Sequence, residues 1–161
     1  MMFRLFAALP ALTIAAAVFA QQPAATPIAD YSTARVTPGL WTYQSVPGGS
    51  AARFIDATGT ARFTLECSKA TRRVTLARTS AIAAPSLFVW ASDASRTLAA
   101  RFEPNAMRVS VDLAARDPLL DAIAFSRGRI AVTMGGAGGA TEPLIMPAWP
   151  EAARTIEDCR F

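Results

Sequence analysis

The chain has 161 residues, 16 basic against 12 acidic side chains, two cysteines and no histidine. Without histidine there is no Ser-His triad, no imidazole general base and none of the commonest zinc ligand. The net charge of +4 is a mild excess, carried by fifteen arginines and the single lysine Lys69.

The first twenty residues, MMFRLFAALPALTIAAAVFA, place one arginine before an apolar run and small residues at Val18 and Ala20. That is the order of a secretory signal peptide, with cleavage after Ala20. Pro10 interrupts the run, whose apolar length falls short of the roughly 20 residues a membrane span needs. No cysteine follows the cleavage point to carry a lipid. Residues 21–37, QQPAATPIADYSTARVT, are poor in large apolar groups and read as a flexible lead-in. Residues 38–161 then suffice for a single β-rich domain with one core. The expected location is periplasmic or secreted.

From Gly39 onward short apolar runs alternate with turn residues. LWTYQSV precedes PGGS, ARFIDA precedes TG, and ARFTLECS and RRVTLART follow. In ARFTLECS the residues Ala61, Phe63, Leu65 and Cys67 share one face, which puts Cys67 on the apolar side of a strand. LFVWA is apolar on both faces and reads as a central strand. RTLAARFE and AMRVSVDL flank the turn signal PN, and Met107, Val109, Val111 and Leu113 give the cleanest period of two in the chain. The period then changes: Asp117 is a natural N-cap, Pro118 suits the first helical position, and Leu119, Leu120, Ile123 and Ala124 form one stripe before Gly128. RIAVTM and EPLIMP are two further strands about the glycine-rich GGAGGA, and Ala152, Ile156 and Cys159 make a stripe on a short C-terminal helix. The pattern predicts an antiparallel β-sandwich or barrel of about eight strands with a short mid-chain helix and a C-terminal helix.

An exported chain with two cysteines predicts a Cys67–Cys159 disulfide, which would staple the last helix to the sheet. Thiol chemistry lacks a base and a Cys-x-x-Cys pair. A Ser-Lys dyad would have to use Ser68 and Lys69, which are adjacent and point to opposite faces of a strand. Asp117 and Asp121 read as a cap and a solvated face, since two carboxylates cannot supply the six to eight oxygens that calcium takes. Glu157 and Asp158, flanked by Arg154 and Arg160, read as surface ion pairs. GGAGGA lacks the lysine of a phosphate-binding loop and precedes a strand, so it reads as a hairpin loop. No metal or cofactor is expected.

Two surfaces remain as candidates. Lys69, Arg72 and Arg73 cluster at a turn, with Arg62 and Arg78 on the adjoining strands, a patch suited to an anionic partner or to the blunting of a sheet edge. Trp41 and Tyr43 share a strand face, and with Trp149 they are a possible aromatic surface.

LLDAIAFSRGRIAVTM, the glycine loop, LIMP and WPEAARTIEDC resemble, in that order, the invasion-associated locus B family of exported bacterial proteins. The chain is also similar to small periplasmic proteins of alphaproteobacteria. The resemblance covers the last third of the domain. It implies a secreted β-sandwich with a disulfide and a role at the cell envelope or in host contact, and brings no catalytic residues.

The expected function is therefore non-enzymatic binding of a protein or anionic glycan at the envelope, with no nucleic acid partner. A glycan hydrolase is the alternative; its carboxylates would come from Glu66, Glu103 and Asp112. A structural or stress-related envelope protein is a third reading.

Overall fold

A computed structural model describes residues 30–136 and 139–161. The leader expected at 1–20 and residues 21–29 lie outside the described residues. The elements in chain order are β1 (Gly39–Val46), β2 (Gly49–Asp56), β3 (Ala61–Ser68), β4 (Arg73–Thr79), β5 (Ser86–Ala91), β6 (Ala94–Ala99), β7 (Arg101–Glu103), β8 (Arg108–Ala114), α1 (Pro118–Ala124), β9 (Arg129–Gly136), β10 (Gly139–Ala140), β11 (Leu144–Pro147) and α2 (Pro150–Asp158).

Two antiparallel sheets form a sandwich, not a closed barrel. The first has the order β1-β2-β3-β4-β8-β7. The second has the order β10-β9-β5-β6, with β11 pairing along the same side of β9 as β10. The count exceeds the expected eight chiefly because RTLAARFE divides into β6 and β7 and because the glycine-rich stretch adds the two-residue β10. RTLAARFE, which reads as one strand, is two: the chain breaks at Ala100, whose amide bonds to Pro85 O, and crosses from the second sheet to the first.

Local chemistry sets these boundaries. Pro47 and Gly48 make the two-residue turn between β1 and β2, with Gly48 at a φ of 78° that few other residues adopt. Asp117 caps α1 by accepting the Leu119 amide at 2.9 Å, and Pro118 opens the helix.

The core lies between the sheets. Phe54, Phe63, Leu65, Leu76 and Val109 face Leu87, Val89, Ile130, Val132 and Met146, all essentially inaccessible. Helix α2 covers the inner ends of β1, β2 and β3, burying Ala152 and Ile156, and packs against α1. The disulfide between Cys67 on β3 and Cys159 at the end of α2 holds this closure, with the two Cα atoms 5.4 Å apart.

The outer face of the second sheet explains why LFVWA is apolar on both sides. Residues 30–37, the described part of the segment read as a flexible lead-in, lie against it. Tyr31 meets Trp90 edge to face at 5.9 Å, Ala34 and Val36 pack beside Ile145, and Thr37 exchanges hydrogen bonds with Ile145. Arg129 clasps the segment through the carbonyls of Ala34 and Ser32. A few well-placed apolar groups suffice to dock this stretch although its average composition is poor in them.

Candidate functional site

Antiparallel register distributes the expected basic patch. Ser68 pairs with Arg73 and Phe63 with Arg78, so Lys69, Arg72 and Arg73 lie at one end of the β3–β4 hairpin and Arg62 and Arg78 at the other. Five residues of strand separate the two groups by roughly 17 Å. Arg62 is exposed and pairs with Asp56 at 3.1 Å. Arg78 is not on the surface at all: it is 7% exposed, shares the inward parity of Val74 and Leu76, and donates to Val132 O and to Glu142 O, the latter at 2.8 Å. It bridges the sheets from inside. Burial pulls its guanidinium down to about 10, with Arg62 adding to the effect.

At the disulfide end the cations do gather. The turn from Lys69 to Arg72 closes with Arg72 at a φ of 52°, and the Arg72 guanidinium donates to Arg160 O at 2.7 Å. The Ala115 amide donates to Arg72 O, which draws the chain after β8 alongside. The result is a depression of about 230 Å³ lined by Arg72, Ala114, Ala115, Arg116 and Arg160. Arg160 is neutralised within it by Glu157 at 2.9 Å and Asp121 at 2.5 Å, and donates to Ala115 O. Lys69, Arg72, Arg73 and Arg116 have no carboxylate within ion-pair distance among the described residues. Sequence reasoning missed Arg116, and it read Arg160 as an ion-pair partner of the acidic edge, which the Glu157 contact bears out, without placing it beside the basic turn. That placement was accessible to it, because a Cys67–Cys159 bond necessarily sets Arg160 beside the turn that follows Cys67.

The aromatic candidates are also dispersed. Trp41 is buried, packed edge to face on Phe54 and Phe63, and its indole donates to Pro147 O at 2.8 Å, tying β1 to the end of β11. Tyr43 is half-buried beneath α2; its hydroxyl donates to Asp158 at 2.6 Å, and Arg154 lies 4.0 Å over its ring. The bond to Asp158 raises the phenol above its ordinary value. Trp149 is 43% exposed. Trp41 therefore belongs to the core and not to any aromatic surface.

Glu66, Glu103 and Asp112 come together on the outer face of the first sheet. Arg108 joins Glu66 at 3.1 Å to Glu103 at 2.8 Å, and Arg101 joins Glu103 at 3.2 Å to Asp112 at 2.8 Å. Hydrogen bonds from Ser110 and Arg108 hold Glu103 below its usual range. Partial burial pushes Asp112 up, but the Thr75 hydroxyl and Arg101 outweigh it and leave that carboxyl lowered too. The shifts thus run in the same direction, whereas a general acid and its partner need environments that drive them apart. Among the described residues no group of acidic, cysteine or histidine side chains is arranged to hold a metal, and no helix is long and apolar enough to cross a membrane.

No protein-family model matches the chain, and no curated protein matches it. Among solved structures it is similar to the crystal structure of invasion associated protein B from Bartonella henselae, at 10% identity and a TM-score of 0.48, over 77% of this chain and 94% of that one.

Proposed function

We propose that the protein is an exported, non-enzymatic binding module that holds an anionic glycan of the cell envelope at its disulfide pole. The observation that carries this reading is the pair Arg72 and Arg116, which line a shallow depression with no carboxylate within ion-pair distance among the described residues, with Lys69 and Arg73 on the adjoining turn and Arg160 beside them paired to Glu157 and Asp121. Arg72 and Arg73 each give one N–H to a backbone carbonyl, of Arg160 and Asp112, and keep further donors for sulfate, phosphate or carboxylate. The disulfide fixes that turn to the C-terminal helix, so little conformational freedom is lost on binding. Export is supported by the leader-like N-terminus and by a disulfide of the kind that persists outside the cytoplasm.

Heparin serves as the probe. The double variant Lys69→Glu/Arg116→Glu is compared with Arg35→Glu/Arg127→Glu, which changes net charge equally at exposed sites with no part in the depression. The pole variant is expected to elute from immobilised heparin at markedly lower salt than the control. Equal elution would show that net charge alone drives retention, and would defeat the reading.

A further inference from the structure

The sheet edges are unequally protected. Strand β7 is three residues long and carries Arg101 and Glu103, β6 carries Arg96, and the open side of β11 is taken by Thr37. Charged, short or covered edges resist pairing with other chains. Strand β1 has none of these defences: Gly39–Val46, GLWTYQSV, is eight residues long and has neither a charge nor a proline.

The main chain of this edge is available. The two-residue turn makes Val46 and Gly49 a hydrogen-bonded pair, so Val46, Gln44, Thr42 and Leu40 bond to β2. Trp41, Tyr43 and Ser45 therefore point their N–H and C=O groups away from it. None of these groups has a hydrogen-bond partner among the described residues. Beside the strand lies a depression of about 430 Å³ lined by Trp41, Thr42, Tyr43, Pro150, Glu151 and Arg154. Within it Glu151 Oε2 is buried with no hydrogen-bond partner among the described residues, and Arg154, stacked on Tyr43, has no carboxylate among them within ion-pair distance.

We infer that β1 pairs antiparallel with β1 of a second copy of this chain about a two-fold axis at Tyr43, with Glu151 of each copy facing Arg154 of the other. This register sets Trp41 opposite Ser45 of the second copy and engages all three outward-facing residues. Two six-stranded sheets become one, which satisfies the open edge. No like charges meet along the strands, and two-fold symmetry makes the Glu151–Arg154 contact reciprocal. A second copy fits better than an unrelated peptide because each copy supplies both a carboxylate with an unsatisfied oxygen and a guanidinium with no carboxylate within ion-pair distance among the described residues. The inference is independent of the anionic-glycan reading.

Sedimentation equilibrium on the full, oxidised chain tests it. The wild type is expected at twice the single-chain mass. Ser45→Pro removes an outward amide without touching a β1–β2 bond and is expected at the single-chain mass, with an unchanged far-UV spectrum confirming the fold. Glu151→Arg and Arg154→Glu each set like charges across the axis and are expected to weaken the dimer by about tenfold or more. Mixing these two variants in equal amounts makes both cross-axis contacts attractive again, and the dimer is expected to return. A wild type at single-chain mass throughout the concentration range overturns the inference and leaves the edge to an extended segment of another protein. A dimer that survives Ser45→Pro, or a mixture no tighter than its components, overturns it equally.

Discussion

Removing the Cys67–Cys159 bond tests how the disulfide pole is held together. The double substitution Cys67→Ala/Cys159→Ala avoids a lone thiol that could pair between molecules. The cysteines are 92 positions apart, and a loop of that length restricts the unfolded chain by about 4.6 kcal/mol in the chain-entropy account. Both cysteines are buried, Cys159 completely, so the loss of packed sulfur adds to this figure and does not offset it. For a domain of this size a urea m-value of about 1.5 kcal/mol/M converts the loss into a midpoint about 3 M lower. Equilibrium urea unfolding followed by tryptophan fluorescence measures both midpoint and slope. Amide exchange in α2 is expected to accelerate more than in β8, since the helix loses its covalent tie while β8 keeps both neighbouring strands. A midpoint shift under about 0.7 M, corresponding to about 1 kcal/mol, would refute the reasoning and show that the packing of Ala152 and Ile156 holds α2 without the bond.

Two further substitutions separate buried from exposed charge. Arg78→Ala leaves the carbonyls of Val132 and Glu142 without this donor inside the sandwich and is expected to cost about 3 kcal/mol in urea unfolding, whereas Arg62→Ala, at an exposed pair, is expected to cost under about 1 kcal/mol; similar losses for both would contradict the inward placement of Arg78. Asp56, in the β2–β3 turn, is drawn from its ordinary 3.8 to about 2 by the Thr58 hydroxyl, which exceeds the upward push from burial, and further by the Thr60 and Thr58 amides and Arg62. A carboxyl lowered in the folded state stabilises above its unfolded value and loses that contribution as pH falls through the folded one. The difference in melting temperature between wild type and Asp56→Asn is therefore expected to close between about pH 4 and about pH 2; a constant difference across that window would exclude the turn as its source.

Sequence pattern was most informative where one local rule dominated. Asp117 followed by Pro118 marked the start of α1, the alternation from Met107 to Leu113 marked β8, and a leader-like N-terminus with two cysteines pointed to the bond that the structure contains. Arg78 shows a signal overlooked: RVTLART sets it on the same face as Val74 and Leu76, but its charge suggested the surface. Parity was the better guide, because a guanidinium can be buried where backbone carbonyls receive it. Trp41 likewise follows the inward parity of β1. Other features depend on contacts distant in sequence. Nothing local to Arg116 tells that the chain after β8 returns beside Arg72, and nothing in the composition of 30–37 tells that Tyr31 finds Trp90. The crossing at Ala100 is equally silent, since a strand that changes sheets keeps its period of two.

The binding of an anionic glycan at the disulfide pole is tested most directly by titrating the oxidised chain with a short heparin oligosaccharide and following backbone amide shifts. Saturable shifts are expected, centred on Lys69, Arg72, Arg73 and the segment Ala115–Arg116 and lost in Lys69→Glu/Arg116→Glu. Shifts centred on Arg53 or Arg127, or none at all, would contradict it.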